Sequence, residues 1–392
     1  MTAPTKNDLR LAALVCGIVG LYDVIYVVTT LSRTAVLGYS IDVLFPDFLV
    51  FHAAARAFFD GKLAIVYDTD ALTHLQNTLY AYRLPFSLGF RPFLYPPLWL
   101  LDLLPFGLMP FELALVVFLL ATAAACAFAL HRIGLRFEAI IAILTAPAAV
   151  WVVLAGQNTF LSVALLYAGM ALLERRPVLA GILLGVLAYK PQVWVLVPLA
   201  LLCAREWRAL AATALTVTML GLATLPLFGI GFWLDFLAAA QRASSGEAAL
   251  EMFERVHAHM TTPLAAAKIA GLGDGVAMAL QLVGSFAAVA AVTWAFIRHR
   301  PSHARTAVLV TATFLVSPYT LNYDLLLLMP AVTLLFLNPP PGGYLPGERV
   351  VHLAAWLIPH FCLGLNAAGL PLTPLVVVAF GAVALMRLGT AR

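Results

Sequence analysis

Asp47 is the first residue in this sequence whose type and setting suggest chemistry. It follows Pro46 and opens a segment with helical periodicity, Asp47–Phe59. At a membrane face its carboxylate could take a proton from a sugar hydroxyl and so act as a general base. The alternative is structural, because an aspartate at this place also suits a helix N-cap. Asp42, a few residues earlier, offers a second carboxylate.

Lys190 stands in an otherwise apolar stretch, followed by Pro191 and Gln192. A charged side chain in a membrane segment is costly unless something pairs with it, so it has a functional interpretation by default. Its ammonium group could neutralise a phosphate, as a compact point charge does. A structural ion pair with an aspartate is the alternative, and both interpretations stay open. Gln192 adds a hydrogen-bonding amide nearby and is a candidate substrate-binding residue.

Three further groups of polar residues interrupt the apolar sequence. They lie at Tyr95-Pro96-Pro97, at Gly156-Gln157-Asn158 and at residues 317–324. Their amide, hydroxyl and carboxylate groups could bind sugar hydroxyls or phosphate oxygens, whereas turns and helix starts are the structural alternatives. The candidate substrate-binding residues at these breaks are Tyr95, Gln157, Asn158, Tyr319, Asn322, Tyr323 and Asp324.

The elements that must position these groups are membrane helices. The 392 residues are 63% hydrophobic and 11% charged, with a mean hydropathy of +0.96, whereas soluble domains carry roughly 25% charged residues. Several apolar stretches have the roughly 20 residues that a helix needs to cross a bilayer. The composition predicts an all-α, polytopic membrane protein surrounded by lipid, with no nucleic-acid partner.

The sidedness of the chain follows from its short basic clusters, because such clusters mark the cytoplasmic side. If all are cytoplasmic, both termini lie inside, about twelve helices cross the membrane, and the five polar breaks face outward. Residues 32–93 then form a first exoplasmic loop and 230–262 a second, within one integral membrane domain over 1–392. The clusters are Lys6/Arg10, His131/Arg132/Arg136, Arg175/Arg176, Arg205/Arg208, Arg298/Arg300/Arg305 and Arg387/Arg392.

Several helices should be short or broken. The 28 residues between Arg176 and Arg205 leave arms of about 13 residues, roughly 20 Å of helix, which is too short for two full crossings. The turn at Lys190 should therefore lie below the outer surface of the membrane. Prolines predict a short helix over Tyr95–Met109 before a full span over Phe111–Leu130. The Asp47–Phe59 helix is expected to be amphipathic and to lie along the membrane interface.

A metal site and a cofactor are not expected. His257 and His259 form a closely spaced pair, but nothing supplies further ligands at a recognisable spacing. The four cysteines fall in apolar segments and suit packing roles. The sequence contains no phosphate-cradling glycine loop and no nucleophile elbow.

The motifs resemble those of glycosyltransferase family 87, the polyprenyl-phosphate-sugar-dependent transferases with the C-type membrane fold. The likeness covers roughly residues 42–210 and reappears at Ser317-Pro318-Tyr319 with Tyr323-Asp324. The residues that carry it are Asp47-Phe48, Phe51, Gly61, Tyr67, Phe93-Leu94-Tyr95-Pro96-Pro97, Gly156-Gln157-Asn158, Arg176-Pro177, Ala180-Gly181, Gly185 and Tyr189-Lys190-Pro191-Gln192.

The resemblance implies a sugar, with mannose expected, moved from a polyprenyl-phosphate donor to an exoplasmic glycolipid or glycan. It implies inversion at the anomeric carbon, no required metal, and Asp47 as the catalytic aspartate. Lys190 would then stabilise the phosphate leaving group, at the exoplasmic face of the inner (cytoplasmic) membrane. Some members have a histidine in the later outer motif, where this chain has Asn322 and Tyr323.

Two other classes remain as alternatives. A membrane transporter or lipid flippase would also contain broken helices and buried charge, although the sequence has no evident inverted repeat. A non-catalytic membrane scaffold would tolerate Asp47→Asn and Lys190→Met.

Overall fold

The computed structural model describes residues 4–37, 45–82, 84, 86–244 and 246–390. Across these ranges the chain is helical and contains no strand, so the predicted all-α fold is confirmed. Asp42 lies outside the described residues. Many of the α-helices are joined by short turns, by prolines or by 3₁₀ segments. One isolated antiparallel bridge links Met260 to Leu321.

The α-helices are numbered in chain order. They are α1 Lys6–Leu37, α2 Pro46–Phe59, α3 Thr69–Leu79, α4 Pro97–Gly107, α5 Phe111–Arg132, α6 Phe137–Leu144, α7 Pro147–Ala155, α8 Thr159–Leu172, α9 Pro177–Val186, α10 Pro191–Trp194, α11 Val197–Cys203, α12 Trp207–Ala243, α13 Gly246–Val256, α14 Pro263–Ile269, α15 Asp274–Arg298, α16 His303–Val316, α17 Leu328–Leu337, α18 Glu348–Ala367 and α19 Thr373–Thr390. The 3₁₀ turns are Leu63–Ile65, Leu187–Tyr189, His257–His259 and Asn322–Leu327.

Membrane-spanning helices are a prominent feature of the described chain. Five helices are long and apolar enough to cross a bilayer, or six if the bent pair α6 and α7 is one span. Further apolar helices have only 10–17 residues, as expected for the short and broken elements predicted from the sequence. The chain is therefore a polytopic membrane protein, while the number of about twelve crossings stays a prediction.

Helix α2 forms where the sequence predicts it, but its surroundings differ from those expected. Instead of presenting a polar face at the interface, it is buried among other helices on most sides. His52 on this helix is buried and hydrogen-bonded through Nδ1 to the Tyr80 hydroxyl (2.7 Å) and through Nε2 to the Met109 carbonyl oxygen (2.9 Å). These two bonds compensate for removing the imidazole from water.

The break around Lys190 has the short-armed geometry that the sequence predicts. Helix α9 leads into a 3₁₀ turn, Lys190 follows, and α10 and α11 continue the chain. Glycines bring α9 against α12: a Cβ at Gly181 would lie 2.3 Å from the Ala209 carbonyl oxygen, and one at Gly185 would lie 2.6 Å from the Thr216 Cβ. Such small residues four apart let membrane helices approach closely.

The predicted second exoplasmic stretch, 230–262, is largely helical. Helix α12 continues through it to Ala243 after a break at Gly229, whose φ is 76°. Helix α13 and the 3₁₀ turn His257–His259 follow. The described part of this stretch therefore contributes helices to the fold.

Gly156 sets the distance between α2 and the turn that joins α7 to α8. Its φ of 68° lies in the left-handed region, and a Cβ there would be 2.5 Å from the Cβ of Phe48. Both features require glycine, because other residues are strained at this φ and no real Cβ approaches another that closely. Gly156 thus brings the turn into contact with the first residues of α2.

We predict that Gly156→Ala destabilises the protein by about 2–4 kcal/mol, from backbone strain and overpacking together. Gly61→Ala is the matched control, since Gly61 has the same φ of 68° but open space around it. It should cost only about 1–2 kcal/mol. Unfolding in mixed detergent micelles measures both losses. Equal losses of stability in the two variants would show that overpacking against Phe48 does not contribute.

Candidate active site

A cavity of about 190 Å³ opens at one end of the bundle, between the start of α2, the chain before α4, and α13. Several residues singled out in the sequence line it although they come from five separate segments. They are Asp47, Tyr95, Gln157, Gln192, Tyr319 and Tyr323. The structure thus gathers the polar breaks around one cavity.

Gln157 connects the groups on the cavity wall. Its amide Nε2 donates to Oδ2 of Asp47 (2.9 Å) and to the Tyr323 hydroxyl oxygen (3.1 Å). Its Oε1 accepts from the Tyr95 hydroxyl (3.1 Å) and from the backbone N–H of Asn158 (2.8 Å). Because every hydrogen-bonding direction of the amide is used, Gln157 holds the Asp47 carboxylate in a fixed orientation.

Asp47 is half-buried and is not the N-cap of α2. The cap is Phe45, whose φ of 58° is left-handed and whose backbone N–H donates to the Leu154 carbonyl oxygen (2.8 Å). Burial raises the pKa of Asp47, and the Gln157 hydrogen bond and the charge of Arg91 oppose that rise. A carboxylate with a raised pKa is a stronger base than an ordinary aspartate.

Beneath the cavity wall lies a closed polar cluster centred on Lys190. The Lys190 side chain is 0% exposed, and its Nζ lies 2.5 Å from Oδ1 of Asp324. It also donates to Oδ1 of Asn158 and to Oγ1 of Thr159, both at 3.2 Å. The structural alternative of an ion pair is therefore present, and in this geometry the ammonium group does not reach the cavity.

The buried cluster supports the groups on the wall. Asp324 accepts the backbone N–H of Leu321 (3.1 Å) and precedes α17, so it fixes the segment that carries Tyr323. Asn158 directly follows Gln157. Asn322 is also buried rather than on the cavity surface. Four predicted site residues, Asn158, Lys190, Asn322 and Asp324, thus lie behind the wall instead of lining it.

The stretch that follows α13, residues 257–262, is hydrogen-bonded to the later outer motif, residues 317–324. The backbone N–H of Thr261 donates to the Thr320 carbonyl oxygen (3.0 Å), and the two threonine hydroxyls lie 2.7 Å apart. Asn366 on α18 donates to the Met260 carbonyl oxygen (2.9 Å). This network fixes the end of α13 beside the cavity.

His259 lies close to this network and packs edge-on against Trp151, with ring centroids 5.7 Å apart. Burial lowers its pKa, while its hydrogen bond with Asn322 and the charge of Asp47 oppose the shift. His259 therefore brings an imidazole near the later outer motif from a different segment of the chain. Within the described ranges, no three histidine, cysteine, aspartate or glutamate residues are grouped as metal ligands.

Two arginines line the cavity and were not singled out from the sequence. Arg91 precedes the Phe93-Leu94-Tyr95 motif, and Arg255 lies in the last turn of α13. No local pattern distinguishes them from Arg56 or Arg242, which lie in the same predicted exoplasmic segments. Arg91 and Arg255 share one cavity because α13 folds towards the loop before α4, and the sequence does not show this arrangement.

Comparison with known proteins gives one match. A model of glycosyltransferase family 87 matches residues 93–318, more than half of the chain. No curated protein and no solved structure matches. The matched region includes Tyr95, Gln157 and Lys190, whereas Asp47 and Tyr323 lie outside it.

We predict that Lys190→Met and Asp324→Leu each destabilise the protein by about 3–5 kcal/mol, because each leaves an unpaired charge in an apolar interior. The double variant should lose much less than the sum of the two. Arg56→Ala is the control, since Arg56 forms an exposed pair with Asp60 that contributes at most about 1 kcal/mol. Unfolding in mixed micelles gives the coupling energy. Additive losses would contradict a direct, stabilising ion pair.

Proposed function

Because the chain belongs to glycosyltransferase family 87, we propose that it transfers one sugar, with mannose the expected one, from a polyprenyl phosphate to an exoplasmic glycolipid or glycan. The observation that carries this proposal is the Asp47 carboxylate, fixed by Gln157 on the wall of a polar cavity at the end of a membrane bundle. A carboxylate in that setting is suited to general-base catalysis.

The size of the cavity fits a donor that remains in the bilayer. Pockets that enclose a drug-sized ligand measure roughly 300–1,000 Å³, whereas this one measures about 190 Å³. It has room for a head group and not for a long isoprenoid chain. The tail of the donor would stay among lipids while the phosphate and sugar enter the cavity.

Asp47 acts as the base in a single displacement. The acceptor hydroxyl attacks the anomeric carbon from the face opposite the phosphate, and Asp47 takes its proton as the new bond forms. The bond between the anomeric carbon and the phosphate oxygen breaks, and its electron pair leaves with the phosphate. Attack from the opposite face inverts the configuration, and no step requires a metal.

The other groups on the cavity wall bind and orient the substrates. Tyr95, Gln192, Tyr319 and Tyr323 offer hydroxyl and amide groups to the sugar. Lys190 serves as a positioning residue, because its contacts with Asn158 and Asp324 support the segments that carry Gln157 and Tyr323. Lys190 thus supports the cavity wall and does not contact the phosphate, which differs from the role expected from the sequence.

The sidedness of the reaction rests on the basic clusters of the sequence. By the positive-inside rule, these clusters support a topology with both termini in the cytoplasm and the cavity at the exoplasmic face of the inner membrane. A polyprenyl-phosphate donor suits that face because it reaches the outer side while anchored in lipid. The C-type arrangement of the helices belongs to the same proposal.

We predict that Asp47→Asn lowers transfer by about 10²- to 10⁴-fold, the usual effect of removing a general base. Transfer of labelled sugar from a panel of polyprenyl-phosphate sugars to membrane acceptors measures it. Asp60→Asn is the control, since Asp60 terminates the same helix and forms an exposed ion pair with Arg56. Full activity in folded Asp47→Asn would exclude Asp47 as the base. If the wild type consumes no donor in membranes that hold acceptor, a transporter or flippase becomes the better interpretation.

We also predict an acid limb in the pH dependence of transfer. Asp47 must be ionised to accept a proton, and its raised pKa means that activity falls at a higher pH than for an ordinary aspartate. Gln157→Met removes a hydrogen bond that favours the carboxylate, so the limb should move to still higher pH. Rates measured across pH for both proteins test this. A shift to lower pH, or an unchanged limb, would contradict the assigned contact.

A further inference from the structure

Arg91 and Arg255 enter the cavity from different segments. Arg91 belongs to the stretch before α4, and Arg255 to the last turn of α13. Asp47 is the acidic side chain among the residues that line this cavity, so its lining carries two guanidinium groups and one carboxylate. An excess of positive charge in a small cavity attracts an anion.

Among the described residues, one hydrogen-bond donor of Arg91 has no acceptor. Its Nε is buried, and no acceptor for it is found among the residues that the structure describes. Burial lowers the pKa of Arg91, the neighbouring Arg255 lowers it further, and Asp47 raises it. Two guanidinium groups that disfavour each other's charge, one with an unused N–H, are suited to an anion between them.

The guanidinium group of Arg255, which lines the cavity, packs against Gly89, which has no side chain. A Cβ at Gly89 would be only 2.8 Å from Nη2 of Arg255. Gly89 is two residues from Arg91, so the contact brings the two arginine-bearing segments together. The partner that Arg255 has within α13 is Glu251, at 3.5 Å and largely exposed, which leaves its guanidinium group able to bind a stronger anion.

We propose that Arg91 and Arg255 bind the phosphate of the lipid-linked donor between them. The inference rests on the proposed function and adds the residues that recognise its leaving group. Guanidinium groups match phosphate oxygens in paired hydrogen bonds. As the bond to the sugar breaks, its electron pair moves onto the phosphate oxygen, so the two cations stabilise the transition state more than the ground state.

The surroundings of the two arginines indicate a lipid-linked phosphate. Phe90, Met252 and Val256 line the same cavity beside them. These apolar side chains would be unfavourable neighbours for fully hydrated inorganic phosphate, but they suit the first isoprene units of a polyprenyl chain. The phosphate would also bridge α13 to the stretch before α4.

The test is equilibrium binding to the purified full-length protein in nanodiscs. The probes are a polyprenyl phosphate, the corresponding polyprenol, and inorganic phosphate as a competitor. The wild type should prefer polyprenyl phosphate over polyprenol, and Arg91→Gln and Arg255→Gln should each weaken its binding roughly ten- to hundredfold, as for a lost hydrogen bond to a charged group. Arg242→Gln is the control with the same change of charge, since Arg242 donates to the Tyr67 carbonyl oxygen and does not line the cavity.

Gly89→Val provides a variant that keeps every charge. It should displace the Arg255 guanidinium group and weaken polyprenyl-phosphate binding while polyprenol binding stays unchanged. Wild-type affinity for polyprenyl phosphate in both arginine variants would overturn the proposal, as would displacement of the lipid by millimolar inorganic phosphate. The proposed function fails separately, through absence of sugar transfer by the wild type, so a transferase with unaffected arginine variants would refute only this assignment.

Discussion

A buried ammonium ion places a strong constraint on this fold. The Lys190 side chain is 0% exposed, and moving a charge from water into an apolar interior costs several kcal/mol unless a counter-charge and hydrogen bonds accompany it. Asp324 supplies the charge, and Asn158 and Thr159 supply the bonds. Lys190 and these partners come from three separate breaks in the helical bundle, so the breaks must converge for the chain to fold.

That convergence also builds the cavity. Gln157 and Tyr323 adjoin Asn158 and Asp324 in the sequence, and they point to the wall while their neighbours face the ion pair. Gly156 then lets the same turn meet α2, where Gln157 reaches Asp47. The cavity wall is thus supported by the Lys190–Asp324 ion pair behind it and by the close approach of Gly156 to Phe48 beside it. The contacts that stabilise the fold are therefore the same contacts that orient Asp47, the candidate base.

The sequence predicted the helical class, the short helices around Lys190 and the break after α16, because apolar length and proline placement are local properties. It predicted six residues that line the cavity, since polar groups in apolar segments are conspicuous. It did not predict the burial of His52, whose partners Tyr80 and Met109 are distant along the chain. Arg91 and Arg255 were missed because their shared cavity depends on how α13 folds back. Lys190 allowed two interpretations, and exposure, which a sequence does not give, was needed to distinguish them.

The small volume of the cavity has a consequence for the fidelity of the reaction. Water is a nucleophile at far higher concentration than any glycolipid, so a transferase that admits it would hydrolyse its donor. On the proposed function, a sugar and its phosphate would occupy most of a space of about 190 Å³, so few water molecules would remain beside Asp47. Excluding solvent from a site suppresses such side reactions. The donor would then be consumed mainly when an acceptor enters through the open side of the cavity and its hydroxyl displaces the water that remains.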